Sequence, residues 1–486
     1  MPASLAVKTP SPPSLAACRV LFAWPGVPDA ELFNFLPLGI GYLAANLENR
    51  HPRQFFDGVL AAPDGPGIRE TTADFAPDLV AISVWSFNFR QARELAAAVR
   101  EVRPQCRIVV GGPEPSGRGA AMLADFPEAD YAQVGEGEKA LAQLTDLLAR
   151  DQATPDALAQ VPGLVFRDGD TVRANAPLYP DLAEVAGCDY AFIRFDAYLA
   201  RGYTYGMHRH NPRTAPLLTS RGCPYTCSFC SARRINGRRV RLRPVDAILN
   251  EIRHLHAVYG VTAFNIIDDN FTFHVDFAKA VCRGILDLGL PPLSFNCPNG
   301  VRMERLDAQL LALMRRAGWE WVFIAPESGS PATLARMRKS LRPDTVVDKV
   351  RLIHAAGLYV FGFFIIGYPG ETEADIRMTL VFAHAAGFDA AVFTCFHPLP
   401  GTPIYKEMEA SGELAGQPAS RDYYTVTYAP AGLTPGRLQL LRLAGIVGFH
   451  LRSPRRVVLA LRYKSVATIW TFLKKLVFSR TKRHQP

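Results

Sequence analysis

Three cysteines fall within eight residues, at Cys223, Cys227 and Cys230, in the run Arg-Gly-Cys-Pro-Tyr-Thr-Cys-Ser-Phe-Cys-Ser-Ala-Arg-Arg from Arg221 to Arg234. Three thiolates on one short loop, held close by Gly222 and Pro224, suit three corners of an iron-sulfur cube, and no fourth cysteine lies nearby to close the last corner. One iron is then left open to a substrate or cofactor. The competing reading, structural zinc, asks for two Cys-x2-Cys or Cys/His pairs, and the nearest upstream histidines, His208 and His210, lie across an expected strand.

The other six cysteines are scattered and the total of nine is odd, which argues against a disulfide framework and for a reducing, cytoplasmic setting. A formal net charge of +9 would suggest nucleic acid if it were spread over the chain. Ten Lys and Arg and no acidic residue lie from Arg452 onward, however, so the body is near neutral and no nucleic-acid partner is expected. A length of 486 residues predicts two or three domains. Residues 1–17 read as a disordered tail, Pro-, Ser- and Ala-rich through Pro13, without the basic start and apolar run of a signal peptide.

Short apolar runs alternate with helical spacing over residues 18–150. Strands are predicted at Arg19 to Trp24, Leu79 to Val84, Arg107 to Val110 and Tyr131 to Val134, with helices at Leu36 to Asn49 and Arg90 to Arg103 among them. This alternation predicts an α/β domain with a doubly wound parallel sheet, a Rossmann-like fold that binds ligands beyond the carboxyl ends of its strands. Those ends carry Ser83 to Ser86, Gly111-Gly112 and Gly135-Glu136-Gly137-Glu138. Residues 151–213 lack sustained periodicity and read as an irregular connector. Over 214–405 six further βα units follow, with strands at Pro216 to Ser220, Ala263 to Ile267, Leu293 to Asn296, Trp321 to Ala325, Tyr359 to Ile366 and Ala391 to Phe396. Six such units predict a partial (β/α)6 barrel of the TIM type, with its chemistry at the carboxyl ends of the strands. The cysteine loop lies just past the first of them.

The Cys-x3-Cys-x2-Cys spacing, with Phe229 before the last cysteine, resembles the signature of the radical S-adenosylmethionine (SAM) enzymes. The Pro37-Leu38-Gly39-Ile40-Gly41-Tyr42-Leu43-Ala44-Ala45 helix start and the Gly-Gly and Gly-Glu-Gly-Glu turns resemble the cobalamin-binding domain that precedes the radical domain in one large subfamily. The resemblance implies a [4Fe-4S] cluster on Cys223, Cys227 and Cys230, whose open iron binds SAM and cleaves it to a 5′-deoxyadenosyl radical. It implies cobalamin at Ser83, Gly111, Gly112, Gly135 and Glu136, and an electron donor of the flavodoxin or ferredoxin type. The Asp-x-His-x-x-Gly motif that ligates cobalt in other cobalamin domains is absent, as it is throughout the subfamily. Methylation of an unactivated carbon of a small-molecule or lipid-like substrate is the implied reaction. A cyclase or oxidative member without methyl transfer is the alternative, and a non-catalytic iron-sulfur module stands further off. A methylthiotransferase would need a second cluster, for which the first half offers only Cys18, Cys106 and Cys188, far apart.

The other strand ends supply candidate SAM contacts. Asp268-Asp269-Asn270 places two carboxylates where they can meet the SAM ammonium group, or can simply cap the next helix. Glu327-Ser328-Gly329 resembles the family's turn near the SAM ribose and carboxylate. Ile366-Gly367 opens Gly-Tyr-Pro-Gly-Glu-Thr, resembling the segment whose backbone runs along the adenine, and Phe229 belongs to the same expected pocket. Arg302 is a candidate for the SAM carboxylate or a substrate anion, and His397 reads mainly as a structural hydrogen-bond donor. Residues 406–486 read as a helical region with helices at Pro435 to Leu451, Pro454 to Tyr463 and Val466 to Phe478. Its basic tail makes peripheral contact with an anionic membrane one reading and a helix packed on the barrel the other.

Overall fold

Fifteen strands and their crossover helices build two sheet systems in the computed structural model, which describes residues 16–27, 35–61, 65–202, 206–209, 212–415, 425–464, 469–471 and 474. The first system comprises β1 (Val20–Trp24), β2 (Arg53–Asp57), β3 (Leu79–Ser83), β4 (Arg107–Gly111), β5 (Tyr131–Gln133), β6 (Leu164–Asp168) and β7 (Thr171–Ala174), in the order β2-β1-β3-β4-β5-β6-β7. The first five run parallel. Every residue of β1 is buried because helices cover both faces of the sheet. Leu38–Ala45 and Glu138–Ala149 pack on one face and Phe89–Val102 and Met122–Asp125 on the other.

Two differences from the sequence reading have physical causes. β2 was not expected, because Arg53-Gln54-Phe55-Phe56-Asp57 lies at the sheet edge, where polar residues are tolerated and no apolar run develops. Residues 151–213, expected to be irregular, add the antiparallel hairpin β6–β7 and the helix Phe195–Arg201. The Asp168-Gly169 pair between Leu164-Val165-Phe166 and Thr171-Val172 is the hairpin signal that could have found it, with Gly169 at φ +57°.

The second system contains β8 (Thr214–Leu217), β9 (Ser220–Arg221), β10 (Arg241–Leu242), β11 (Ala263–Ile266), β12 (Ser294–Asn296), β13 (Trp321–Glu327), β14 (Tyr359–Ile366) and β15 (Ala390–Cys395). Parallel sets β8-β11-β12 and β13-β14-β15 are joined through the bridges Phe295–Trp319 and Val301–Ile324, so six parallel strands form one open barrel. Burial alternates along β14: Val360, Gly362, Phe364 and Ile366 are buried, while Phe361, Phe363 and Ile365 are half-buried. Helix Pro435–Leu451 packs along β15, at the open edge of the barrel, and Pro454–Tyr463 packs on that helix. Both span the residues expected from sequence. The expected helix Val466 to Phe478 lies mostly outside the described residues, as does the expected tail up to residue 15. Among the described residues, no helix is long and apolar enough to cross a membrane.

Candidate active site

The order β2-β1-β3-β4-β5 reverses direction between β1 and β3, and in such sheets ligands bind beyond the carboxyl ends at that point. A cavity of about 760 Å³ opens there. Trp24, Ser83 and Gly111 end β1, β3 and β4 on its wall, and Trp85, Gly112, Gly135 and Glu136 lie just past β3, β4 and β5. Phe363, Val392, Phe393 and Thr394 of β14 and β15 close it from the barrel side, with the buried Arg442 beside them. All five residues expected to hold cobalamin thus lie on one cavity. The walls fit a large, mainly apolar ring: the backbone at Gly112 stands at φ +109° and a Cβ there would meet the Val84 carbonyl oxygen at 2.9 Å. Trp24 Nε1 and the Tyr42 hydroxyl, on cavity-lining residues, are buried without a hydrogen-bond partner among the described residues. Among the described residues, none that lines the cavity is a histidine.

The cysteine loop leaves β9 at Gly222, whose φ of +101° and tight contact with the Arg239 carbonyl exclude a side chain. Ser228 staples the loop to the barrel. Its amide donates to the Met337 carbonyl, its hydroxyl bonds Arg336 O and the Tyr368 hydroxyl, and its carbonyl accepts from Ile404 N. Burial pushes the Cys223 thiol up and the Cys230 thiol up to about 12, and in both the neighbouring cysteines push the same way. Cys230 as a residue is nevertheless exposed. Among the described residues no three His, Cys, Asp or Glu side chains gather around a single ion. Three thiolates on one short loop fit a cluster that takes one thiolate per iron and stabilises the anionic sulfurs.

The two aspartates after β11 hold this loop. Asp268 is buried, and its carboxylate accepts from Thr219 N and from the Thr219 and Ser220 hydroxyls, with burial raising it to about 6. Those three donors hold its carboxylate inside the β8–β9 corner. Asp269 accepts at Oδ2 from Gly222 N at 3.0 Å and from the Asn236 amide at 2.9 Å, gripping the residue before Cys223. Ser328 is buried in its turn, where its hydroxyl bonds the Thr379 hydroxyl on the helix Glu373–Ala385 and accepts from the Ser330 amide.

Glu327 ends β13 after a bulge, at φ +70°, and its carboxylate pairs with buried Lys339 at 2.9 Å. A left-handed glutamate on a buried ion pair is strained backbone of the kind that collects at functional sites. The Ile366 side chain is fully buried, so only its backbone can meet a ligand. Gly367 stands at φ +77°, and the following turn is tied by Glu371, whose Oε2 accepts from Gly367 N and Tyr368 N. Phe229 meets the Tyr368 ring edge to face, with centroids 6.5 Å apart. The Arg302 guanidinium lies 3.6 Å from the ring centre of Tyr225, on the cysteine loop. His397 bonds the Thr427 hydroxyl, and His208 is buried among Asn265, Ser294 and Asn296, away from the cysteines.

An ion-pair cluster that sequence reasoning missed joins the two domains. Arg221, two residues before Cys223, reaches Glu138 at 2.7 Å and Glu136 at 3.2 Å and lies over the Tyr42 ring, while Arg241 also pairs with Glu136. The side chains of all four charged residues are less than a tenth exposed. Glu136 lines the cavity, but its carboxylate is spent on these arginines.

A cobalamin-type sheet and a cysteine-bearing partial barrel, meeting at one cavity, define a two-domain enzyme of radical chemistry. Residues 32–145 match the B12 binding domain and residues 217–383 the radical SAM superfamily, together more than half of the chain. The chain belongs to the cobalamin-dependent radical SAM family. An uncharacterized methyltransferase of Pyrococcus horikoshii is 28% identical over 380 residues, covering 78% of this chain and 79% of that one. Cytidylyl-2-hydroxyethylphosphonate methyltransferase of Streptomyces wedmorensis is 28% identical, covering 82% and 83%. Anaerobic magnesium-protoporphyrin IX monomethyl ester cyclase of Cereibacter sphaeroides is 26% identical, covering 86% and 68%. The structure of the radical SAM methyltransferase TsrM of Kitasatospora setae, with tryptophan and a SAM analogue bound, superposes at a TM-score of 0.70 with 18% identity. The match covers 96% of this chain and 99% of that one, and shows a shared fold.

Proposed function

We propose that the protein is a cobalamin-dependent radical SAM methyltransferase acting on an unactivated carbon of a small-molecule or lipid-like substrate. The observation that carries this reading is the cavity at the β1/β3 switch point, roofed by the barrel that carries the cysteine loop. When bound, the [4Fe-4S] cluster, SAM and cobalamin supply a reductively generated 5′-deoxyadenosyl radical and a methyl carrier. Cys223, Cys227 and Cys230 hold the cluster, and Asp268, Asp269 and Ser228 keep their loop in place. The backbone of Ile366-Gly367, with Phe229 and the Glu327 turn, lines the SAM side, and Arg302 offers a cation to a carboxylate. Ser83, Gly111, Gly112 and Gly135 give the corrin a flat, side-chain-poor floor, and Glu136 fixes that floor to Arg221. The apolar walls exclude water from the radical.

We assign residues 18–150, extended by the β6–β7 hairpin, to the cobalamin domain, 214–405 to the radical domain and 406–486 to a helical region. The electron donor is of the flavodoxin or ferredoxin type and the setting is the cytoplasm, in keeping with nine free cysteines. Anaerobic turnover with methyl-labelled SAM over a panel of small acceptors and lipids tests the reading. S-adenosylhomocysteine alongside 5′-deoxyadenosine, with label in the acceptor, is the expected result. A cyclase, the second reading favoured by the cyclase among the relatives, yields 5′-deoxyadenosine without S-adenosylhomocysteine.

A further inference from the structure

Large apolar side chains that stay exposed are gathered on one part of this molecule. Of the twelve among the described residues, eight lie from Met378 onward: Met378, Val381, Leu440, Val447, Leu451, Val458, Leu461 and Trp470. The first seven belong to three helices packed in a row, Glu373–Ala385 against Pro435–Leu451 and that against Pro454–Tyr463. Buried Arg456 clamps the row, donating to the carbonyls of Phe388, Phe449 and His384. On the middle helix Leu440, Ala444, Val447 and Leu451 recur at three- and four-residue steps and are all exposed, which makes one outward stripe without a charge in it. The opposite side of the same helix carries Leu438, Leu441 and Arg442, and Arg442 lines the reaction cavity. Exposed cations flank the stripes at Arg452, Arg462 and Lys474, while Arg377 and Arg437 share Glu373 and Arg455 pairs with Asp389, and ten Lys and Arg without an acid run from Arg452 to the end of the sequence.

We propose that this three-helix face docks on an anionic lipid surface, with the apolar stripes at the headgroup boundary and the cations on the lipid phosphates. This deepens the reading of a lipid-like substrate and rests on it only for its purpose, since the wall between the face and the cavity is one helix thick. Charge selects the membrane over a second copy of the chain: an isologous contact would press the same basic residues, Arg452, Arg462 and those that follow them, against themselves. An interfacial helix needs both signals found here, an apolar face and basic flanks, with Trp470 of the aromatic type that settles at headgroup level.

The test is flotation of the full-length, cluster-reconstituted protein with vesicles of pure phosphatidylcholine or of phosphatidylcholine with phosphatidylglycerol, without SAM or acceptor, so its outcome does not depend on the reaction. Retention on the anionic vesicles is expected, at least about tenfold above the neutral ones and reduced by 0.5 M salt. The double variant Leu440→Glu, Leu451→Glu should lose about tenfold of it while keeping its iron and circular dichroism. The milder Leu440→Ser, Leu451→Ser covers the case in which the acidic pair fails to fold. No retention overturns the proposal, as does retention untouched by either stripe variant, which would place binding in the tail alone. Self-association that depends on the same leucines overturns it in favour of a dimer.

Discussion

Gly222 carries more of the account than its size suggests. A Cβ there would lie 2.2 Å from the Arg239 carbonyl oxygen, at a φ of +101° that side chains rarely adopt. Gly222→Ala should cost about 3 kcal/mol of stability, and the displaced loop should lose most of its iron, read by thermal melting and metal analysis. Cys230→Ala, by contrast, removes a donor without disturbing the backbone, so the fold should survive with cluster absorption gone. Glu371 sets a pH dependence. Burial lifts it from 4.5 to about 7, so the folded chain holds this proton more tightly than the unfolded one. Its stabilisation is complete below pH 4.5, declines as pH rises and is lost above about 7, a swing of roughly 3 kcal/mol. The melting temperature of the cofactor-free protein should therefore fall between pH 5 and pH 8, and Glu371→Gln should flatten that fall. The cysteine spacing was readable from sequence because all its ligands are local. The roles of Asp268 and Asp269 were not, since their partners Thr219, Ser220, Gly222 and Asn236 lie more than thirty residues away in sequence.

Among elements, the fifth barrel strand and the helix on the open edge of the barrel depend on each other. A Cβ on Gly367 would meet the Leu438 side chain at 2.4 Å, so Gly367→Ala should cost about 3 kcal/mol from strain and overlap together. Adding Leu438→Ala relieves the overlap but not the strain, so the two changes should be favourably coupled by about 1 kcal/mol in a double-mutant cycle. The Arg221–Glu138 pair joins the other two elements that matter, the cysteine loop and the Gly-Glu-Gly-Glu turn. Arg221 keeps Glu136 when Glu138 is removed, so Glu138→Ala should cost about 2 kcal/mol, short of the penalty for a stranded charge, read as a fall in melting temperature. The barrel strands and the two C-terminal helices were visible in the apolar periodicity. β2 and the β6–β7 hairpin escaped it, because edge strands can be short and polar and the hairpin sits in a stretch whose Pro and Asp residues interrupt any sustained periodicity.

At the scale of the whole molecule, the sequence announced two domains but not the cavity between them, which needs β14, β15 and Arg442 brought over the ends of β1, β3 and β4. The central claim is that this one cavity holds the corrin while the cysteine loop holds the cluster. Gly111→Phe separates the two, since a Cβ at Gly111 meets nothing closer than 3.7 Å and the ring is accommodated only inside the cavity. That variant should keep its iron and its SAM cleavage and lose cobalamin. The most direct measurement is made on the native chain: anaerobic purification, reconstitution with iron and sulfide, addition of hydroxocobalamin, desalting, and metal analysis. About four irons and about one cobalt per chain are expected. About four irons with no cobalt would contradict it, leaving a radical SAM barrel beside a sheet that holds something else.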